Sequence, residues 1–279
     1  MFAGLRALIR SRFATRAEDG AAKQPQTSIL DAYATERPSI FAAFDIFEGE
    51  WSSNIPGLGI GGSGLFDDPR IKWLSQQCGG FSGKSILELG PLEGGHSFMM
   101  AKGKAARILA IESNTRAFLK CLIVKNALNF ETEFQLGDFR PYLQATTETF
   151  DFVLACGVLY HMQEPETLLA HLSRVAPRLG LWTHYYDRDV IMGRADLMGK
   201  FVEQPEIVRF GGREVEKYQQ HYLAALNAAG FCGGNAPTSY WLSRASLLGL
   251  LDDFGYKVTI GTDEHDHQNG PCILLYAER

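Results

Sequence analysis

Acidic side chains stand at or beside the ends of short apolar runs. Glu88 lies inside SILELG, two residues before Gly90. Glu112 sits near the end of RILAIES, and Asp138 closes EFQLGD, followed at once by Phe139. A fourth run, FDFVLACG, ends in Cys156 and Gly157. After the first run comes Gly90-Pro91-Leu92-Glu93-Gly94-Gly95. Glycines at a strand-to-helix turn let a ligand approach the backbone, and the helix behind them offers free N–H groups. Leu92 stands where a dinucleotide-binding GxGxxG carries its second glycine, and no GxxxxGK[ST] phosphate loop occurs. A carboxylate at 88 repels a pyrophosphate and attracts a cation. Glu112 suits a pair of ribose hydroxyls. Asp138 can accept from an exocyclic amine while Phe139 stacks on a base. A ligand carrying an ammonium, a ribose and an adenine fits all three positions.

Groups able to move a proton follow the fourth and fifth runs: Tyr160 and His161 in GVLYH, His184 and Tyr185 in WTHY. A general base assists attack by a hydroxyl or a protonated amine. His161 is the first choice as base, Tyr160 as an orienting group, and His184 is the third catalytic candidate. The competing expectation for His161 is a cap or a packed position under a lid. Asp263-Glu264-His265-Asp266-His267 resembles a metal cluster by residue type. Its members are sequence neighbours in a turn, so a polar connection and no metal is expected. Trp51, in EGEWSS, is a candidate to fold over a bound ligand.

These residues need elements to position them. Helical patterns cover 67–79, 95–104, 115–128, 165–175 and 242–254, with Asp68-Pro69 and Asn114 as starts. Short apolar runs at 85–90, 107–113, 133–138, 150–157 and 179–185 read as buried strands. Strands alternating with helices predict a parallel sheet covered on both faces, with ligands beyond the carboxyl ends of the strands. Strands at 256–261 and 272–278 have no helix between them, which predicts an antiparallel hairpin. The rhythm breaks at 187–241, where Arg213 to Ala229 reads as a helix stopped by Gly230. The expected division is an extension and linker (1–37), the first part of an α/β domain (38–186), a helical insertion acting as a substrate lid (187–241), and the end of the domain (242–279).

Composition narrows the partners. The 279 residues are 46% hydrophobic, and Lys+Arg 27 against Asp+Glu 32 gives a net charge of −5. That balance disfavours nucleic acid and anionic lipid as general partners. The insertion holds six basic and seven acidic residues beside aromatics including Phe201, Tyr218, Tyr222 and Trp241. This suits a small or semi-apolar acceptor better than a polyanion. Five dispersed cysteines form no CxxC pair, which excludes a disulfide scaffold and predicts a reducing, cytoplasmic setting. No apolar run approaches the ~18 residues of a membrane span. Residues 1–17 carry Arg6, Arg10, Arg12 and Arg16 and no acid. They read as a solvated or partner-docked helix in preference to a presequence or membrane-surface helix.

S-adenosylmethionine carries the ammonium, ribose and adenine that the strand-end residues call for. The runs SILELGPLEGGHS, AIESN, LGDF and FDFVLACGVLYHM resemble the class I S-adenosylmethionine-dependent methyltransferases, over about residues 67–185 and 242–279. GVLYH is similar to the segment of transferases that carboxymethylate the wobble uridine of tRNA, in which the matching Tyr helps bind a carboxylated cofactor. EGEWSS, LFDDPRI, LELGPLEGGHS and WTHY resemble a less characterised bacterial methyltransferase group. The resemblance implies an α/β, Rossmann-like seven-stranded sheet, mostly parallel with an antiparallel last strand. By the same resemblance Glu88, Gly90 and Gly94, with Pro91, hold the methionine part of the cofactor. Glu112, with Ser113 and Asn114, holds the ribose, and Asp138 and Phe139 hold the adenine. Cys156 and Gly157 face the sulfonium. The expected activity is methyl transfer to an oxygen or nitrogen of a small molecule. The alternatives are a tRNA-modifying transferase and an inactive cofactor-binding module acting through its N-terminal helix.

Overall fold

The computed structural model describes residues 33–228 and 230–279, so the Arg-rich segment 1–17 and most of the expected linker lie outside the described residues. The central sheet is built from β1 (Ser85–Leu89), β2 (Arg107–Glu112), β3 (Glu133–Leu136), β4 (Phe152–Cys156), β5 (Arg178–His184), β9 (Lys257–Glu264) and β10 (Cys272–Glu278). Its order is β3-β2-β1-β4-β5-β10-β9. The first five strands run parallel, and β10 pairs antiparallel with both β5 and β9. This is the seven-stranded arrangement expected, including the final hairpin. The strand order turns back between β1 and β4, which opens a crevice beyond their carboxyl ends.

Alternation along the strands divides the core in two. Leu87 and Leu89 of β1 and Val153 and Ala155 of β4 face a cluster closed by Leu143, Leu169, Leu172 and Leu250. Ile86, Phe152 and Leu154 face the opposite cluster with Ile71, Leu74 and Met100. Helices α1 (Pro69–Gln77), α2 (Gly95–Lys102) and α3 (Thr115–Leu128) therefore cover one face. Helices α4 (Phe139–Ala145), α5 (Pro165–Val175) and α8 (Arg244–Asp253) cover the other. Ahead of α1, Phe44, Phe47, Trp51 and Ile55 pack on α3 through Val124. Trp51 is buried there, with its Nε1–H donated to the Phe44 carbonyl at 3.0 Å.

The insertion departs from expectation. The helix expected over Arg213 to Ala229 is not found in its described part: Arg213–His221 is β7, followed by a 3₁₀ turn at Leu223–Asn227. It is the middle strand of a separate antiparallel sheet, between β6 (Glu206–Phe210) and β8 (Thr238–Leu242). Two short helices, α6 (Arg188–Met192) and α7 (Ala195–Met198), precede it. Pairing on both edges overrides the helix propensity of REVEKYQQHYLAAL. Phe210 pairs with Arg213, so Gly211 and Gly212 form a two-residue loop, with φ of 58° and 93°. A Gly-Gly pair between strand-forming runs is a hairpin signal.

Candidate active site

The carboxyl ends of β1 to β5 open into one cavity of about 740 Å³, a size common for small-molecule sites. Gly90 to Leu92 supply one wall, and Glu112 and Ser113 the next. Asp138 and Phe139 follow, then Cys156, Gly157, Tyr160 and His161. Ten of the fourteen sequence candidates thus share one space: Gly90, Pro91, Glu112, Ser113, Asp138, Phe139, Cys156, Gly157, Tyr160 and His161. Glu88, Gly94, Asn114 and His184 do not line it.

Leu92 explains how the first turn closes without a second glycine. Its φ is 56°, in the left-handed region where glycine sits without cost. Its N–H donates to Glu112 Oε2 at 3.1 Å, and its carbonyl accepts from the Cys121 thiol at 3.4 Å. Glu112 Oε1 accepts from the Asn114 N–H at 2.8 Å. Each carboxylate oxygen therefore holds one backbone donor and keeps further acceptor capacity, the pair of acceptors that two donating hydroxyls require. Burial raises the Glu112 pKa, partly offset by these backbone N–H bonds.

Glu88 lies beneath the turn, behind the cavity lining. It is 1% exposed, accepts from Ser97 Oγ, and lies 3.9 Å from His96 Nδ1. Burial pushes its carboxyl up to about 8, with the neighbouring Glu112 adding to the rise. Asn114 caps α3 by accepting from the Ala117 N–H at 3.0 Å. Asp138 caps α4 by accepting from the Arg140 N–H at 2.8 Å, and the Arg140 guanidinium grips both its oxygens. Burial alone would raise Asp138, but Arg140 draws its pKa below the ordinary value.

The opposite flank carries the proton-active groups. His161 Nδ1 lies 2.7 Å from the Tyr222 hydroxyl, which joins the GVLYH segment to the insertion. Burial lowers its pKa to about 4, with His184 contributing, so the ring is neutral at physiological pH. Burial pushes the Tyr160 hydroxyl well above its usual range and the Cys156 thiol up to about 12, so both keep their protons. His184 packs against Tyr160 at a centroid distance of 4.7 Å and stacks on Trp241. Tyr185 is fully buried and donates to Asp263 Oδ1 at 2.7 Å, so it does not face the cavity.

Several lining residues had no sequence signal. Arg70, at the start of α1, holds Asp68 through a two-pronged pair and lies 4.7 Å over the Trp182 ring. Asp68 also meets His96 Nε2 at 2.9 Å. Burial alone would raise Asp68, but His96 and Arg70 together hold it well below the carboxylate range. Asp68-Pro69 reads as a helix start in sequence; that this start faces the strand ends follows only from the fold. Among the described residues, the insertion lines the cavity through Cys232 to Ala236. Its aromatics Tyr218, Trp241 and Phe201 instead pack with Tyr186 in the insertion's own core. Trp51 lines a second, smaller cavity beside Lys120 and not the main one.

The sheet order and the strand-end cavity define a Rossmann-like α/β domain with a reversed last strand, and residues 87–182 match the family model described as "Methyltransferase domain". The N-terminal domain of EvdMO1, solved with SAH bound, superposes with a TM-score of 0.58 at 22% identity, covering 81% of this chain and 90% of that one. Magnesium protoporphyrin IX methyltransferase (ChlM) from Synechocystis, with bound SAH, superposes at 0.52 and 17% identity, covering 75% and 80%. A tRNA U34 carboxymethyltransferase of Desulfotalea psychrophila is 31% identical over 155 residues, 53% of this chain and 42% of that protein. The chain thus spans less than half the length of the curated relatives it matches.

Proposed function

We propose that this domain binds S-adenosylmethionine in the strand-end cavity and transfers its methyl group to an oxygen or nitrogen of a small-molecule acceptor. One observation carries the reading. The Gly90–Leu92 turn, Glu112, Asp138–Phe139 and Cys156–Gly157, from four successive strand ends, line a single open cavity. When bound, the cofactor supplies an activated methyl group on a sulfonium. The residues supply position. Glu112 accepts the two ribose hydroxyls, and Phe139 packs against the adenine. The carboxyl of Glu88, beneath the turn, becomes ionised when an ammonium comes close. Cys156, kept as a neutral thiol, does not compete for the methyl group. Holding an acceptor in line can lower the barrier by ~7–11 kcal/mol. In the tautomer that donates Nδ1–H to the Tyr222 oxygen, neutral His161 takes the acceptor's proton at Nε2, with Tyr160 beside it for orientation.

Calorimetric titration of the purified chain with S-adenosylmethionine tests the cofactor step. Saturable binding that weakens in Glu112→Ala is expected; absence of heat, or equal binding by the variant, would falsify it.

A second reading is transfer to tRNA. Arg70 stands beside Cys156, Tyr160 and Trp182 on the cavity wall, a cation that could meet a carboxylate on the transferred group. A gel shift with bulk tRNA separates the two readings: binding that falls steeply with salt supports tRNA, and no shift at low salt rejects it.

A further inference from the structure

The connection between β9 and β10 does not behave as one polar cluster. Asp263 is taken by the Tyr185 hydroxyl and by Arg244 Nε, at 2.7 Å each. His265 lies 3.7 Å from Asp187. His267 turns the other way, toward the junction of β5 and β10. There His184, the last residue of β5, is the direct antiparallel partner of Cys272, the first residue of β10. One ligand atom each from His184, His267 and Cys272 lies within 4.8 Å of the other two.

The surroundings set these groups up as ligands. His184 Nδ1 points at two carbonyl oxygens, those of Gly270 and Pro271, at 3.0 Å each. Carbonyls only accept, so Nδ1 carries the proton and Nε2 keeps its lone pair. A ligating histidine is ordinarily oriented in this way, by its other nitrogen on a backbone carbonyl or carboxylate. Cys272 is fully buried. The loop backbone is pinned by Arg194, which donates to the carbonyls of His267 and Gln268 at 2.8 and 2.6 Å. The half-buried His267 ring is the adjustable member: its one hydrogen bond among the described residues comes from the Asn269 N–H, 3.2 Å from Nδ1. The indole of Trp182 packs near both histidines, at 5.1 and 5.8 Å between centroids.

We propose that His184, His267 and Cys272 form a binding site for a borderline-soft divalent cation of the zinc type, fastening the β9–β10 hairpin to the end of β5. Two imidazoles and a thiolate with one open position match a tetrahedral site. Metal–N bonds of about 2.0 Å and a metal–S bond of about 2.3 Å require ligand atoms roughly 3.3–3.6 Å apart. The 4.8 Å limit exceeds this by about 1.2–1.5 Å at most, a gap that side-chain rotation, led by the loop histidine, closes. Binding breaks the Cys272 S–H bond and forms a sulfur–metal bond, the proton leaving to solvent, while His267 exchanges the Asn269 N–H at Nδ1 for the metal and keeps its proton on Nε2. The fourth position is left to water.

The test uses the full-length chain without a histidine tag, stripped with chelator and titrated with Zn²⁺ or Co²⁺. Expected are one retained equivalent by elemental analysis and, with Co²⁺, a thiolate charge-transfer absorption. Saturating Zn²⁺ should raise Tm by roughly 5–10 °C. His267→Ala alters only a loop residue and should fold with the Tm of the stripped protein. It and Cys272→Ser should weaken binding by more than the ~10–100-fold that loss of a supporting contact costs. No retained metal, or equal retention by His267→Ala, overturns the site; cobalt bound without the charge-transfer band removes Cys272 from it.

Discussion

The N–H of Leu92 donates to Glu112 Oε2 at 3.1 Å, so the turn after the first strand is fastened to the acid ending the second. That bond holds a leucine at φ 56°, a conformation costing about 1–2 kcal/mol for a residue with a Cβ. The ordinary ranking of glycine below alanine should therefore reverse here. Leu92→Gly should be about 1 kcal/mol more stable than Leu92→Ala in urea unfolding, with cofactor binding retained.

Glu112 holds the turn and, in the proposed function, the ribose as well. Glu112→Ala frees two backbone donors, Leu92 N–H and Asn114 N–H. Charge-assisted hydrogen bonds contribute about 1.5–3 kcal/mol each. S-adenosylhomocysteine binding should weaken by roughly 10–100-fold in calorimetry. Glu112→Gln, which keeps one acceptor oxygen, should fall between the two.

Glu88 makes stability depend on pH. Its folded pKa is raised to about 8 from an ordinary 4.5, so the folded protein holds a proton that the unfolded chain has already released. The stabilisation is complete below about pH 4.5 and is lost as pH rises toward 8. Urea midpoints of the ligand-free protein should fall across that window. Glu88→Gln, which carries no titrating carboxyl, should remove this part of the slope.

His161 gives a kinetic signature. With a pKa of about 4 it is already in its basic form at neutral pH. Its limb of the rate profile should appear near pH 4 rather than near 6.5. On any acceptor that is turned over, His161→Ala should lower kcat by ~10²–10⁴-fold. An unchanged kcat would leave His161 as a packing partner of Tyr222.

The N-terminal aromatic segment is fixed by a buried ion pair. Lys120 Nζ lies 3.0 Å from Glu93 Oε1, and Glu93 also accepts from the N–H groups of Ser52 and Ser53. Removing one partner strands a buried charge. Lys120→Ala should cost about 3–5 kcal/mol in unfolding free energy, and adding Glu93→Gln should recover part of it.

The sheet and its ligand edge were legible because both are local. Short apolar runs ending in Glu112, Asp138 and Cys156–Gly157 carry strand and candidate site together, and helix 115–128 is marked by its Asn114 cap. What escaped depends on pairing at a distance. The segment after Gly212 has helix-forming residues, and only strands on both sides make it β7. Arg70 and His96 reach the cavity because α1 and α2 share a sheet face, which no spacing in the chain announces. His184 sits at the predicted strand end, yet its ring turns to Gly270 and Pro271, residues of a hairpin formed 86 positions later.

The points where the chain departs into residues 187–242 and returns from them adjoin each other. The Tyr186 N–H donates to the Leu242 carbonyl at 2.8 Å, and Tyr186 bridges Ser243. Because exit and re-entry coincide, the segment leaves and rejoins the sheet domain at a single seam, and the order of the seven strands does not run through it. Chimaeras joined at that seam would separate what the scaffold does from what its attachment selects.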